Sequence, residues 1–149
     1  AGSQRTADRG QKADAGWVRN KSYLFGMTKS IRGILKKNKS LAVNGSIWIE
    51  CNGERFFGPG PVELLERINE TGSINQAAKQ MKMSYKKAWE IINMLNAQSS
   101  SPLVVTQTGG ASGGGSVISA EAKELIAWHR SIRNRFKTFL EKETSKLGL

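Results

Sequence analysis

The 149 residues suffice for one domain with some extra chain at its ends, enough to bury a core without disulfides. A single cysteine, Cys51, and a single histidine, His129, exclude a disulfide framework or a zinc site built from paired Cys or His within one chain, so no metal site is expected. The net charge of +11 suggests an anionic partner, but residues 1 to 43 hold ten Lys/Arg against two Asp (+8) and residues 44 to 149 hold thirteen against ten Glu (+3), so the folded part is only mildly basic.

No apolar run exceeds a few residues and the first residues are polar and basic, so neither a membrane partner nor a secretory signal is expected, and the reducing cytoplasm is the fitting compartment. Residues 1–26 show neither helical nor strand periodicity and precede Met27, which reads as a vector-derived leader ahead of a natural start. Residues 27–45 form a basic N-terminal segment. In it, Ile31, Ile34 and Leu35 lie among Lys29, Arg32, Lys36, Lys37 and Lys39, the pattern of a short amphipathic helix or of a disordered arm.

From Ser46 the chain reads SIWIE, Asn52-Gly53, ERFF. An Asn-Gly pair between two β-prone runs predicts a hairpin over 46–57, with Cys51 as a strand residue. Gly58-Pro59-Gly60-Pro61 breaks the strand, and Pro61 is expected at the first position of a helix carrying Val62, Leu65 and Ile68 on one face and ending at Gly72. Ser73 and Gln76 have capping-box spacing for a second helix with Ile74, Ala77, Ala78 and Met81 inward. After a tight turn at Lys82-Met83, Ser84 is placed to cap a third helix that buries Ala88, Ile91, Ile92 and Leu95 and presents Lys86, Lys87, Glu90 and Asn93.

Two short helices joined by a tight turn, the second with cations in its first turns, have the layout of a helix-turn-helix, although a helical hairpin without a nucleic-acid partner has the same pattern. Next, Leu103–Gln107 reads as a strand, Thr108–Ser116 as a glycine-rich loop and Val117-Ile118 as a returning strand, together a β-wing. Ser119 then caps a long helix of about seven turns bearing Ala122, Leu125, Ile126, His129, Ile132, Phe136, Phe139 and Leu140. This helix has more apolar surface than a compact domain covers, so Leu125, Ile132, Phe136 and Phe139 are expected to pack against a second copy of the chain. The expected class is therefore mainly α with a small β content: a winged helix-turn-helix over 46–118 with an N-terminal hairpin, followed by a dimerisation helix over 119–149.

The string GSINQAAKQMKMSYKKAWEIINMLN at 72–96, the glycine-rich TGGASGGGS after it and the preceding FGPGPVELLERINETGS resemble the N-terminal DNA-binding domain of the molybdate-responsive regulators of the ModE family, in the short form. The resemblance covers about residues 46–140. It implies a bacterial transcription regulator whose recognition helix begins at Ser84, Tyr85, Lys86 and Lys87 and whose wing spans Gly109–Gly115. Two departures stand out. Ala111 and Thr106 occupy places where the family has a lysine in the wing and an arginine on the strand before it. The Ser-Ala-Arg-Asn motif of the family's molybdate-binding modules does not occur, so direct molybdate binding is not expected.

On this reading the partner is double-stranded DNA carrying an inverted repeat, read by a homodimer. The third helix lies in the major groove, with Ser84 and the helix N-terminus at a phosphate and Lys86 or Lys87 at a guanine edge or a second phosphate. Ser73, Asn75 and Gln76 hold the backbone, or Ser73 and Gln76 serve only as a cap. Tyr85 and Trp89 stand at the edge of the buried face, where core packing with a polar tip is expected rather than base stacking and Trp89 is expected in the core, while Glu90 lies on the opposite, exposed face. Gly109, Gly110 and Ser112 bring the wing close to the sugar-phosphate chain. His129 is expected to be a packing or surface residue.

No carboxylate pair, nucleophile with base or ligand cluster stands out, so no enzyme and no cofactor are expected. The glycine run is not followed by Gly-Lys-Ser/Thr and is no P-loop. Two other functions fit the same residues: a winged-helix protein-interaction module, and a non-specific nucleic-acid binder driven by the basic segment before residue 43.

Overall fold

The computed structural model describes residues 33–36, 39–108 and 114–147. The leader assigned to 1–26, residues 27–32, 37 and 38 of the basic segment and the wing tip at 109–113 lie outside the described residues. Residues 42–144 form one compact unit, and the described residues before 42 and after 144 belong to a second. In the latter, Ile34 is exposed. All the elements discussed below lie in the first unit, apart from the last residues of the final helix.

Strands β1 (Ile49–Cys51) and β2 (Glu54–Phe57) form the expected antiparallel hairpin. Asn52 and Gly53 both take positive φ, 52° and 82°, the turn geometry whose twist matches that of the paired strands. Glu50 faces Arg55 but Ile49 faces Phe57, so Phe56 is an extra residue in β2. The bulge sends Phe57 fully into the core while Phe56 packs at its margin. On the outer side, the Arg55 guanidinium lies 3.8 Å from the centre of the Trp48 ring, and the Trp48 indole donates to Glu50 Oε1 at 2.9 Å.

Helix α1 (Pro59–Thr71) begins two residues earlier than the sequence pattern indicated. Pro59, not Pro61, takes the first helical position, where a missing N–H costs nothing, and Val62 N donates to Gly58 O at 3.0 Å. Gly58 also lets the chain pass Trp48, whose Cβ would lie 2.9 Å from any Cβ at that position. Val62, Leu64, Leu65 and Ile68 are buried, and Gly72 closes the helix at φ 65° with its N–H on Ile68 O, as expected.

In α2 (Ile74–Gln80), Ser73 Oγ accepts from Gln76 N at 3.3 Å, which is the first half of the predicted capping box. The second half is absent. Ser73 N donates instead to Thr71 Oγ1 at 3.2 Å, because the preceding helix brings that hydroxyl within reach, and the Gln76 side chain is left exposed. Backbone bonds from Lys82 N and Met83 N to Lys79 O and Ala78 O form the tight turn, with Lys82 at φ 54°. Ser84 then caps α3 (Tyr85–Ala97) by accepting from Lys87 N at 3.1 Å, and Ala88, Ile92 and Leu95 are buried with Ile91 at the margin.

Strands β3 (Val104–Thr106) and β4 (Ser116–Ile118) pair antiparallel, with Val104 opposite Ile118 and Thr106 opposite Ser116. Helix α4 (Ala120–Lys146) starts at Ser119, whose Oγ accepts from Ala122 N at 3.1 Å. Among the described residues the fold is therefore mainly helical, with four main helices and two small hairpins. Its core joins Phe57 and the inward faces of α1, α2 and α3 to Leu103, Val104, Ile118, Ala122 and Ile126.

The chain before β1 runs beside α4, which the sequence did not indicate. Ile47 O meets His129 Nε2 at 3.2 Å, Phe136 lies against the Cα of Gly45, and Val43 N donates to Thr144 Oγ1 at 2.9 Å. Part of the apolar surface of α4 is therefore covered by its own chain. Leu125, too, packs against the core, whereas Trp128 (46% exposed) and Phe139 (54%) face outward. Phe136 and Phe139 stack, with centroids 6.2 Å apart.

Candidate nucleic-acid interface

Three elements meet on one side of the molecule: the start of α2, the start of α3 and the β3–β4 hairpin. Between them lies a cleft of about 360 Å³ lined by Ser73, Ile74, Asn75, Tyr85, Trp89, Thr106, Gln107, Thr108, Gly114, Gly115 and Ser116. Its placement follows from local chemistry. The two serine caps fix where α2 and α3 begin, and Ser116 N donates to Gly72 O at 2.8 Å, tying the returning strand to the α1–α2 junction.

The cleft wall is neutral and polar, made of hydroxyls, amides and open backbone, with one aromatic pair. Tyr85 is 52% exposed and meets Trp89 edge to face, centroids 6.1 Å apart and planes at 87°. Trp89, expected in the core, is only half-buried: it packs against the core and also lines the cleft.

Of the residues singled out in the sequence, Ser73, Asn75 and Tyr85 line the cleft. Gln76, Ser84, Lys86, Lys87 and Glu90 are exposed on α2 and α3 or at their starts. Lys87 Nζ lies 3.5 Å from Glu90 Oε2, so a carboxylate sits within the cationic surface of α3. Gly109, Gly110 and Ser112 fall outside the described residues. Sequence reasoning passed over Gln107 and Thr108 and treated Thr106 only as a departure from a family pattern. The available signal was an uninterrupted polar run, Thr-Gln-Thr, where a strand leads into glycines.

A cation-bearing helix start beside a hydroxyl-lined cleft can hold a polyanionic strand. Among the described residues no group of His, Cys, Asp or Glu could hold a metal ion, and no helix is long and apolar enough to cross a membrane.

No family model matches the chain. Curated proteins do. The chain is 45% identical over 71 residues to "Transcriptional regulator ModE" of Haemophilus influenzae, covering 48% of this chain and 28% of that protein. It is 44% identical over 71 residues to "DNA-binding transcriptional dual regulator ModE" of Escherichia coli K12, covering 48% and 27%. It is 36% identical over 87 residues to "Molybdenum transport protein ModE" of Azotobacter vinelandii, covering 58% and 32%. Over the matched residues, the chain is similar to part of proteins named ModE, at 36–45% identity. The match spans about a third or less of the length of each relative.

Proposed function

We propose that this chain is a ModE-family protein and supplies the DNA-binding part of a transcription regulator, a winged helix-turn-helix in which α2, the Lys82–Met83 turn and α3 read the duplex and the β3–β4 hairpin is the wing. The observation that carries the reading is the start of α3. Ser84 caps it, Lys86 and Lys87 stand exposed in its first turn, and the cleft beside it opens toward the hairpin. The names of the Haemophilus and Escherichia relatives support the same role.

In this role α3 enters the major groove. Lys86 or Lys87 reaches a guanine edge or a phosphate, and Tyr85 and the glycines at 109–115 follow one strand of the backbone. Residues 46–118 form the DNA-binding part and 119–149 the dimerisation helix, the exposed flank of α4 around Trp128 and Phe139 meeting its copy. Two-fold symmetry then sets two copies of α3 about 34 Å apart, the spacing of an inverted repeat. Direct molybdate binding is not part of the proposed role.

The test is selection of random-sequence DNA by the full chain at near-physiological salt, beside a Lys86→Ala, Lys87→Ala double variant. Enrichment of an inverted repeat that the variant fails to enrich is the expected result. Sequence-blind retention that the variant leaves unchanged would overturn the proposal.

A further inference from the structure

Strand β3 has one neighbouring strand, β4, and near its start the chain is held by a side chain. Asn96, one residue before the end of α3, places its amide against this segment. Nδ2 donates to Val104 O at 3.0 Å, while Oδ1 accepts from Val104 N at 3.1 Å and from Leu103 N at 2.9 Å. The side-chain amide thus pairs with Val104 as the peptide of a neighbouring strand would. A single hydrogen bond lets two groups swivel about it; a donor and an acceptor on one planar amide, both engaged by the same residue, fix direction as well as distance.

The opposite strand of the hairpin is held separately, through Ser116 N on Gly72 O. The hairpin is also seated on the core through Leu103, Val104 and Ile118. Of the two polar anchors, Asn96 is the one on α3. Thr106 and Gln107, two and three residues beyond Val104, line the cleft together with Tyr85 and Trp89 of α3.

We propose that Asn96 is a positioning residue that locks the hairpin at a fixed angle to α3, so that helix and hairpin engage one stretch of DNA together. The DNA half of this inference rests on the function proposed above; the lock itself does not. Asn96→Asp retains both acceptor bonds but turns a carboxylate oxygen toward Val104 O in place of the donor, and Asn96→Ser is a milder variant that leaves a single-point contact.

The experiment has two readouts on the full chain. In the free protein, amide hydrogen exchange at Leu103 and Val104 is expected to speed up by at least about tenfold in Asn96→Asp and to a smaller extent in Asn96→Ser, with Ala88 and Ile92 in α3 unchanged. Exchange accelerated equally throughout α3 would overturn the lock, since Asn96 would then only stabilise its helix. On the DNA selected above, Asn96→Asp is expected to weaken binding about tenfold in the native background and negligibly beside Thr106→Ala, Gln107→Ala. An equal loss in both backgrounds would show that Asn96 does not act through the hairpin and would overturn the inference. If the native chain selects no DNA, the proposed function fails, and the exchange measurement still decides the lock.

Discussion

Nε2 of His129 lies 3.2 Å from the carbonyl oxygen of Ile47, which ties the middle of α4 to the chain entering the first hairpin. The imidazole is 1% exposed and stands edge-on to Phe57, centroids 5.8 Å apart and planes at 85°. Its Nδ1 is buried with no hydrogen-bond partner among the described residues. In this pairing Nε2 carries the proton and donates to Ile47, and the ring fills core space that a leucine could also occupy.

That double role separates two substitutions. His129→Ala removes both the ring and the bond and is expected to lower unfolding free energy by about 3 kcal/mol, in the range of aromatic truncations in cores. His129→Leu restores most of the volume but leaves Ile47 O unpaired, and roughly 1 kcal/mol is expected. Urea unfolding with an unchanged m-value checks both. Equal losses would mean that the hydrogen bond, not packing, dominates.

Gly72 closes α1 at φ 65°, and a Cβ there would meet no atom within 4 Å. The cost of Gly72→Ala is therefore purely conformational, about 1 kcal/mol, and Gly72→Asn should cost less because Asn tolerates the left-handed region. The same unfolding experiment ranks them.

Ser84 and Ser73 each satisfy one backbone amide at a helix start. Ser84→Ala is expected to destabilise by about 1 kcal/mol, and Ser84→Gly by only a few tenths. If Ser84 also touches phosphate, Ser84→Gly still weakens DNA binding while leaving stability nearly intact, a split that fluorescence anisotropy beside thermal unfolding reveals.

Glu90 sits 3.5 Å from Lys87 on the exposed face of α3. Removing its charge with Glu90→Gln frees Lys87 for phosphate and should tighten DNA binding about threefold at near-physiological salt, with the gain fading as salt rises. Weaker binding would instead assign Glu90 a base contact, through a cytosine amino group.

On α4, Trp128 and Phe139 are exposed, whereas Phe136 is half-buried against Gly45. The double variant Trp128→Glu, Phe139→Glu is expected to yield a monomer by sedimentation at micromolar concentration with little change in unfolding, whereas Phe136→Ala should cost about 2 kcal/mol in the monomer itself. An undisturbed dimer in the double variant would move the interface elsewhere.

The local features of this fold were legible because each depends on a few adjacent residues. Asn52-Gly53 determines a tight hairpin turn, Gly72 a helix end, and Ser73, Ser84 and Ser119 three helix starts; each assignment matches the structure. Helical spacing also singled out Ala77, Ala78, Ala88 and Ile92 as core. The sequence by itself thus determined the order and kind of the elements, and the family resemblance named the surface of α3.

What only the tertiary structure decided depends on groups that separate elements bring together. The Ser73 amide is not among these: Thr71, two residues before it, takes the bond in place of Gln76. The segment Val43–Ile47 covers part of α4, although its residues show no periodicity that would announce a helix or a strand. The cleft joins Ser73 and Tyr85 to Thr106 and Gln107, and Asn96 joins α3 to Val104, through bonds that span up to eight residues of loop and strand. A side-chain amide carries no signature of its partner until the chain has folded back on it. Placement of the site therefore required the packed core, and its chemistry did not.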